Sequence, residues 1–249
     1  MRQPVWRGHN KADWGLKPLS LKTAIRECFF RSELLRDYYR FWVNKRKVPK
    51  KLRQFETRRI SLGSGTSLAD GWIGFDCLKS GQNIFPVNLL LGFPLQDDSV
   101  HELLAEHILE HFFLDDIYLI LKECYRTLKP EGKLRIICPD AKKIANLIMM
   151  EANAEEHYDV TFDTKIHRWS ADGLRWARTI NRLSHQWGQH KSLLTSNMIK
   201  QLLHKIGFKT IYQLPVKETK LFDYLPDIHH KRFSEESANL NFAIETKKG

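Results

Sequence analysis

Residues Arg59–Asp76 read RISLGSGTSLADGWIGFD, and the rest of the chain is organised around them. Ile60 and Leu62 lead into Gly63-Ser64-Gly65, and Trp72, Ile73 and Phe75 lead into Asp76. Short apolar runs bounded by glycine read as buried strands. Glycines let backbone N–H groups approach a ligand closely, and a carboxylate at the tip of the next strand can accept both hydroxyls of a ribose. A Gly-x-Gly is equally the mark of a tight turn, so a nucleoside site and a plain turn both stand at this point.

Downstream, the pattern predicts a third strand over 84–91, turn chemistry over 93–99, and a strand over 100–105 that enters a helix at Glu106–His111. Ile117, Ile120, Leu121, Cys124 and Leu128 then follow a helical stripe, which should stop at Lys129-Pro130-Glu131-Gly132. A strand is expected over 134–138, a helix over 141–150, a helix over 196–206 closed by Gly207, and strands over 208–214 and 239–246. Strands alternating with helices imply an α/β fold with a mostly parallel sheet and ligands at the carboxyl ends of its strands. Residues 151–190, rich in Trp, His and Arg, show little period and are expected to form a lid or substrate wall.

The chain has 249 residues, of which 42% are hydrophobic, enough to bury a core as one α/β domain with additions. No apolar run reaches the roughly 18 residues of a membrane span, and the first residues lack the apolar core of a signal peptide. Cys28, Cys77, Cys124 and Cys138 form no Cys-x-x-Cys pair, so buried free thiols in a reducing cytoplasm are expected. Residues 1–60 carry 17 Lys or Arg against five Asp or Glu, a net of +12, and the remainder carries −1. The sequence thus divides into a basic helical extension, 1–55, and a domain, 56–249. A helix capped by Ser20 and running to about Asn44, with Pro49 ending the segment, should dock on the domain. Its alternative partner is an anionic membrane surface contacted through residues 20–47, for which Phe29, Phe30, Tyr38, Trp42 and Lys45-Arg46-Lys47 are suited. Nucleic acid is the least favoured partner.

The ordered set LGSG, GWIGFD, LGFPLQDDSVHELLAEHILEH, LKECYRTLKPEGKLRIICPD and GQHKSLLTSNMIKQLLHKIGF resembles the class I S-adenosylmethionine-dependent methyltransferases. It is most similar to the small branch found with polysaccharide and O-antigen synthesis genes. The resemblance implies a Rossmann-like seven-stranded sheet whose last strand is antiparallel. It also implies that Gly63, Ser64 and Gly65 pass under the methionine part of S-adenosylmethionine and that Asp76 holds the ribose hydroxyls. Asn88 and Leu89 would lie near the adenine, and Glu106 and His107 would border the methyl donor. Asn88 stands where the family usually has Asp, and its carbonyl can still accept from the adenine amine. The third glycine of the loop is absent. Only 13 positions separate Gly63 from Asp76, so a loop replaces the usual first helix.

His107-Ile-Leu-Glu110-His111 also spells an inverted zinc-peptidase motif, which needs a long helix to set both imidazoles on one face. Some class I methyltransferases carry Glu-x-x-Glu-His here and hold a divalent metal with it. By that resemblance His107, Glu110 and His111 are metal candidates, beside a plain bracing role. A sugar hydroxyl is a weak acid, and its methylation needs a base or a metal. The base candidates are His107, His111, Asp140 and His190. The resulting expectation is O-methylation of a sugar, a lipid-linked glycan or another small-molecule acceptor. RNA or a small aromatic acceptor, a non-catalytic binding module and a zinc peptidase are the alternatives.

Overall fold

The computed structural model describes residues 32–149, 184–227 and 239–249. Seven strands in chain order are β1 (Arg59–Leu62), β2 (Trp72–Asp76), β3 (Ile84–Pro86), β4 (Val100–Glu106), β5 (Leu128–Pro139), β6 (Thr210–Leu214) and β7 (Asn241–Lys247). They form one sheet in the order β3-β2-β1-β4-β5-β7-β6. Strands β1 to β5 pair in parallel, and β7 runs antiparallel to both β5 and β6. This is the α/β sheet that the strand–helix alternation implied. The order reverses between β1 and β4, and in open α/β sheets such a switch point is where ligands bind.

Four helices occur among the described residues: α1 (Glu33–Leu52), α2 (Leu114–Thr127), α3 (Ala141–Met149) and α4 (Ser196–Ile206). The side-chain period of two divides the sheet into unlike faces. Ile60, Leu62, Ile73, Phe75, Leu103, Ala105, Leu134, Ile136, Phe242 and Ile244 share one core with Val48 and Leu52 of α1, Ile117 and Leu121 of α2, and Ile199 and Leu203 of α4. The alternate positions include Arg59, Glu102, Arg135 and Glu245. On this face Arg135 is fully buried between Glu245 at 2.6 Å and Asp227 at 2.7 Å. It also donates to the Val216 and Glu218 carbonyls, while Glu245 accepts from the Lys220 and Leu221 N–H groups at 2.8 Å. Charged groups rather than a helix therefore fasten the 215–227 segment to the sheet.

Several local expectations are corrected. The described helix α1 is capped by Ser32 and runs through Pro49 to Leu52. Proline forfeits one hydrogen bond there, but burial of Val48 and Leu52 holds the last turn. The expected helix start at Ser20 lies outside the described residues, as do Cys28 and nearly all of the 151–190 segment. Strand β3 stops at Pro86 and gives way to a 3-10 turn, Leu89–Leu91, capped by Asn88. No helix forms at Glu106–His111: His107 turns left-handed at φ 50° and a single 3-10 turn, Leu109–His111, comes next. α2 does stop at Thr127, directly before Lys129-Pro130-Glu131-Gly132, but those residues are an irregularity inside β5, with Glu131 at φ 62° and a register shift against β4. Cys124 and Cys138 are buried thiols, whereas Cys77 is exposed. The connection between β1 and β2 holds no helix, in keeping with the short spacing.

Candidate functional site

The parallel strands deliver the described candidates other than His190 to one end of the sheet. Gly63 and Gly65 both take left-handed φ, 61° and 58°, and turn the chain sharply out of β1. Their surroundings differ. A Cβ on Gly63 would lie 2.5 Å from Cδ1 of Ile108, so the glycine loop is pressed against the exit of β4. A Cβ on Gly65 would meet nothing within 4 Å, so its backbone borders open space. Ser64 is buried, and Gly74 of β2 leaves the room its hydroxyl occupies.

Asp76 ends β2 and organises the turn beyond it. Its Oδ2 accepts from the Gly65 N–H at 3.0 Å, and its Oδ1 accepts from Leu78 and Lys79 at 2.8 Å each. A carboxylate offers about four acceptor sites, so roughly one is left on Oδ2, beside the glycine loop. Asn88 accepts from the Leu90 N–H at 3.0 Å and donates from Nδ2 to Asp37 Oδ2 at 3.1 Å. Asp37 comes from α1, and the sequence reading missed it because nothing local ties residue 37 to residue 88. The Cys77 thiol is raised by desolvation and then by the Asp76 carboxylate, with Asp37 adding to it; both acids therefore stand at this end of β2. Leu89 is buried in the main core, and Leu90 is the leucine that faces outward.

Glu106 ends β4 opposite Ile137, and the His107 N–H donates to the Ile137 carbonyl at 2.9 Å. Beyond it, Glu110 is 2% exposed. Its carbonyl receives the Lys191 and Ser192 N–H groups at 2.8 and 3.2 Å, which straps the 190–194 segment across the exit of β4. The Glu110 Oε1 lies 3.2 Å from His107 Nδ1 and 4.0 Å from His190 Nε2. Burial pushes this carboxyl up, but the hydrogen bond and charge of His107, its own backbone and the charge of His111 outweigh burial and hold it below the usual range. The same burial, together with the Glu110 charge, drives the neighbouring Cys138 thiol well above its ordinary value.

His111 and His190 meet edge to face with ring centres 5.0 Å apart. Ligand atoms of Glu110, His111 and His190 all lie within 4.8 Å of one another. Two imidazoles and a carboxylate suit a divalent transition metal. This is not the set the motif suggested: His190 joins, and His107 instead faces the carboxylate. Asp140 stands at the end of β5 and caps α3, its Oδ1 accepting from the Lys142 N–H at 3.0 Å. The peptidase arrangement fails here, because a 3-10 turn cannot offer the helix face on which residues 107 and 111 would share one ion.

Residues 83–136, which take in β3, β4, α2 and most of β5, match the family described as a methyltransferase domain. The fold itself is a Rossmann-like seven-stranded sheet, parallel except for β7. Among solved structures, a SAM-dependent methyltransferase from Archaeoglobus fulgidus is 17% identical, with 92% of this chain and 100% of that one covered at a TM-score of 0.46. A Thermotoga maritima SAM-dependent methyltransferase, described as a possible histamine N-methyltransferase, is also 17% identical, with 90% and 99% covered at 0.44. The CurJ carbon methyltransferase is 13% identical, with 92% and 58% covered at 0.44. No curated protein matches the sequence.

Proposed function

We propose that the chain is an S-adenosylmethionine-dependent methyltransferase that methylates an oxygen, on a sugar or a lipid-linked glycan. The observation that carries this reading is the contact of the glycine loop, through Gly63, with the Ile108 side chain, between His107 and Glu110. It sets a donor loop and a proton-accepting cluster side by side. Gly65 and the free acceptor site of Asp76 would hold the donor's ribose end. Asp37 supplies, from α1, the acid that the resemblance expects at position 88, and with the Asn88 carbonyl it would receive the adenine amine.

When bound, S-adenosylmethionine supplies an electrophilic methyl group whose passage to oxygen leaves a neutral thioether and frees the acceptor's proton. His107 or His190 would take that proton. A single buried carboxylate, Glu110, stands beside both imidazoles and would stabilise either one once charged. Glu110, His111 and His190 would also hold a divalent cation, and a cation there would lower the pKa of an oxygen bound to it. Need for such a base favours a hydroxyl acceptor, and the short β1–β2 connection favours the polysaccharide-associated branch.

Calorimetry with S-adenosylmethionine should show micromolar or tighter binding, weakened by Asp76→Ala. No binding by either protein would refute the donor assignment and leave a non-catalytic module. Tritiated methyl transfer into fractionated glycans, lipids, RNA and small aromatics then identifies the acceptor; label confined to RNA or aromatics would overturn the glycan reading.

A further inference from the structure

We propose that the outward face of α1 docks on an anionic phospholipid surface. Burial of Asn44, Val48 and Leu52 fixes which way the helix faces. The opposite side leaves Leu35, Tyr38, Tyr39 and Trp42 in water at 49%, 53%, 58% and 53% exposure. These positions recur at three- and four-residue spacing and form one stripe. Isolated exposed apolar residues need no explanation, but a contiguous aromatic stripe on one helix does. The stripe continues towards the carboxyl end as exposed Lys45, Arg46 and Lys50. Lys45, Arg46, Lys50 and Arg53 line a groove of about 660 Å³ against Pro94, Leu95 and Gln96, with no acidic residue in its wall.

Aromatic rings beside a groove of cations match an anionic lipid leaflet: rings enter the headgroup boundary and the cations meet phosphate. Charge decides against the other occupants. A second copy of the chain would bring the same cations together. Nucleic acid would use the cations but gain nothing from Leu35. No helix among the described residues is long and apolar enough to cross a membrane. This inference does not depend on the methyltransferase assignment.

Removing the extension would strip Val48 and Leu52 from the core, so surface variants of the full chain are the fitting test. Wild type, Tyr39→Ser/Trp42→Ser and Lys45→Glu/Arg46→Glu are floated with phosphatidylcholine vesicles and with mixed phosphatidylglycerol–phosphatidylcholine vesicles. The wild type should float with the mixed vesicles only, and each variant should lose roughly tenfold or more in partitioning, the charge variant at low salt above all. Equal flotation of wild type and variants, or equal flotation with neutral vesicles, would overturn the proposal. So would self-association of the wild type that the Tyr39/Trp42 variant abolishes, or binding confined to inorganic phosphate or RNA. Circular dichroism of each variant establishes that α1 is intact.

Discussion

Gly63→Ala tests the joint between the glycine loop and the exit of β4. The new methyl would lie 2.5 Å from Cδ1, 2.6 Å from Cγ1 and 2.8 Å from Cβ of Ile108. Rotation can withdraw the first two atoms but not Cβ, which is fixed to the backbone. Overpacking of this kind costs about 1–3 kcal/mol. The left-handed φ of 61° adds about 1–2 kcal/mol for a residue with a side chain. The single variant should therefore lose about 2–5 kcal/mol, read by urea denaturation. Ile108→Ala alone should lose about 1–2 kcal/mol, less than a fully buried isoleucine would. The double variant should be more stable than the sum of the two by about 1–2 kcal/mol, since Cγ1 and Cδ1 are gone, yet it should keep the backbone penalty. On the proposed function, donor affinity should follow the same non-additive pattern, because the contact joins the glycine loop to His107 and Glu110. Additivity within about 0.5 kcal/mol, or a neutral Gly63→Ala, would refute the idea that packing against Ile108 sets the loop.

Arg135→Met leaves Glu245 and Asp227 buried without their cation, so about 3–5 kcal/mol of stability should be lost and amide exchange should quicken in 215–227; a loss under about 1 kcal/mol in urea would refute a fastening role. Asp37→Asn should weaken S-adenosylmethionine binding by calorimetry while Asp37→Glu retains part of it; undiminished binding by Asp37→Asn would remove Asp37 from the donor site. Chelator-stripped, tag-free protein titrated with Co²⁺ should bind one ion with visible absorption, and His190→Ala and His111→Ala should each weaken it by roughly tenfold or more; affinity unchanged in both would rule out the cluster. Desolvation, then the nearby Lys129 and Arg58 charges, lower the pKa of His101, so the unfolded chain takes up the proton first. His101 should thus contribute stability above about pH 6.5 that is lost as pH falls through its lower folded value. His101→Asn keeps an acceptor for the Arg58 N–H and should flatten that fall; parallel pH–stability curves would refute it.

Legibility in the sequence followed the range of the forces involved. The buried strands could be read because Ile60, Leu62, Ile73, Phe75, Leu134 and Ile136 repeat over two-residue steps, and α4 because Gly207 closes a periodic run. Boundaries set by distant contacts could not be read. Pro49 looked like an end, but Val48 and Leu52 bind the turn around it to a core built from the sheet. Lys129-Pro130-Glu131-Gly132 has the composition of a loop, yet the Glu131 N–H and the Gly132 carbonyl both bond to Lys248 from the far end of the chain. The polar face around Arg135 gave no periodic signal at all, since its partners lie more than 80 residues away.

The same distinction explains why one motif carried two meanings. Read as a helix, His107 to His111 sets imidazoles at i and i+4 on a shared face, the arrangement of a metal peptidase. The competing influence is the strand before it. β4 is held in the sheet through Glu106, and the His107 N–H is bound to Ile137, so the chain leaves β4 in a left-handed residue before it can turn. That step breaks the 3.6-residue register and leaves a 3-10 turn. Glu110 then points inward, and its carbonyl recruits Lys191 and Ser192, which brings His190 from 80 positions along the chain. The cluster is therefore a product of the sheet edge, not of the local motif. Its carboxylate is shared by residues from two segments, and any change that frees the strap at 191–192 should disperse His190 before it disturbs His107.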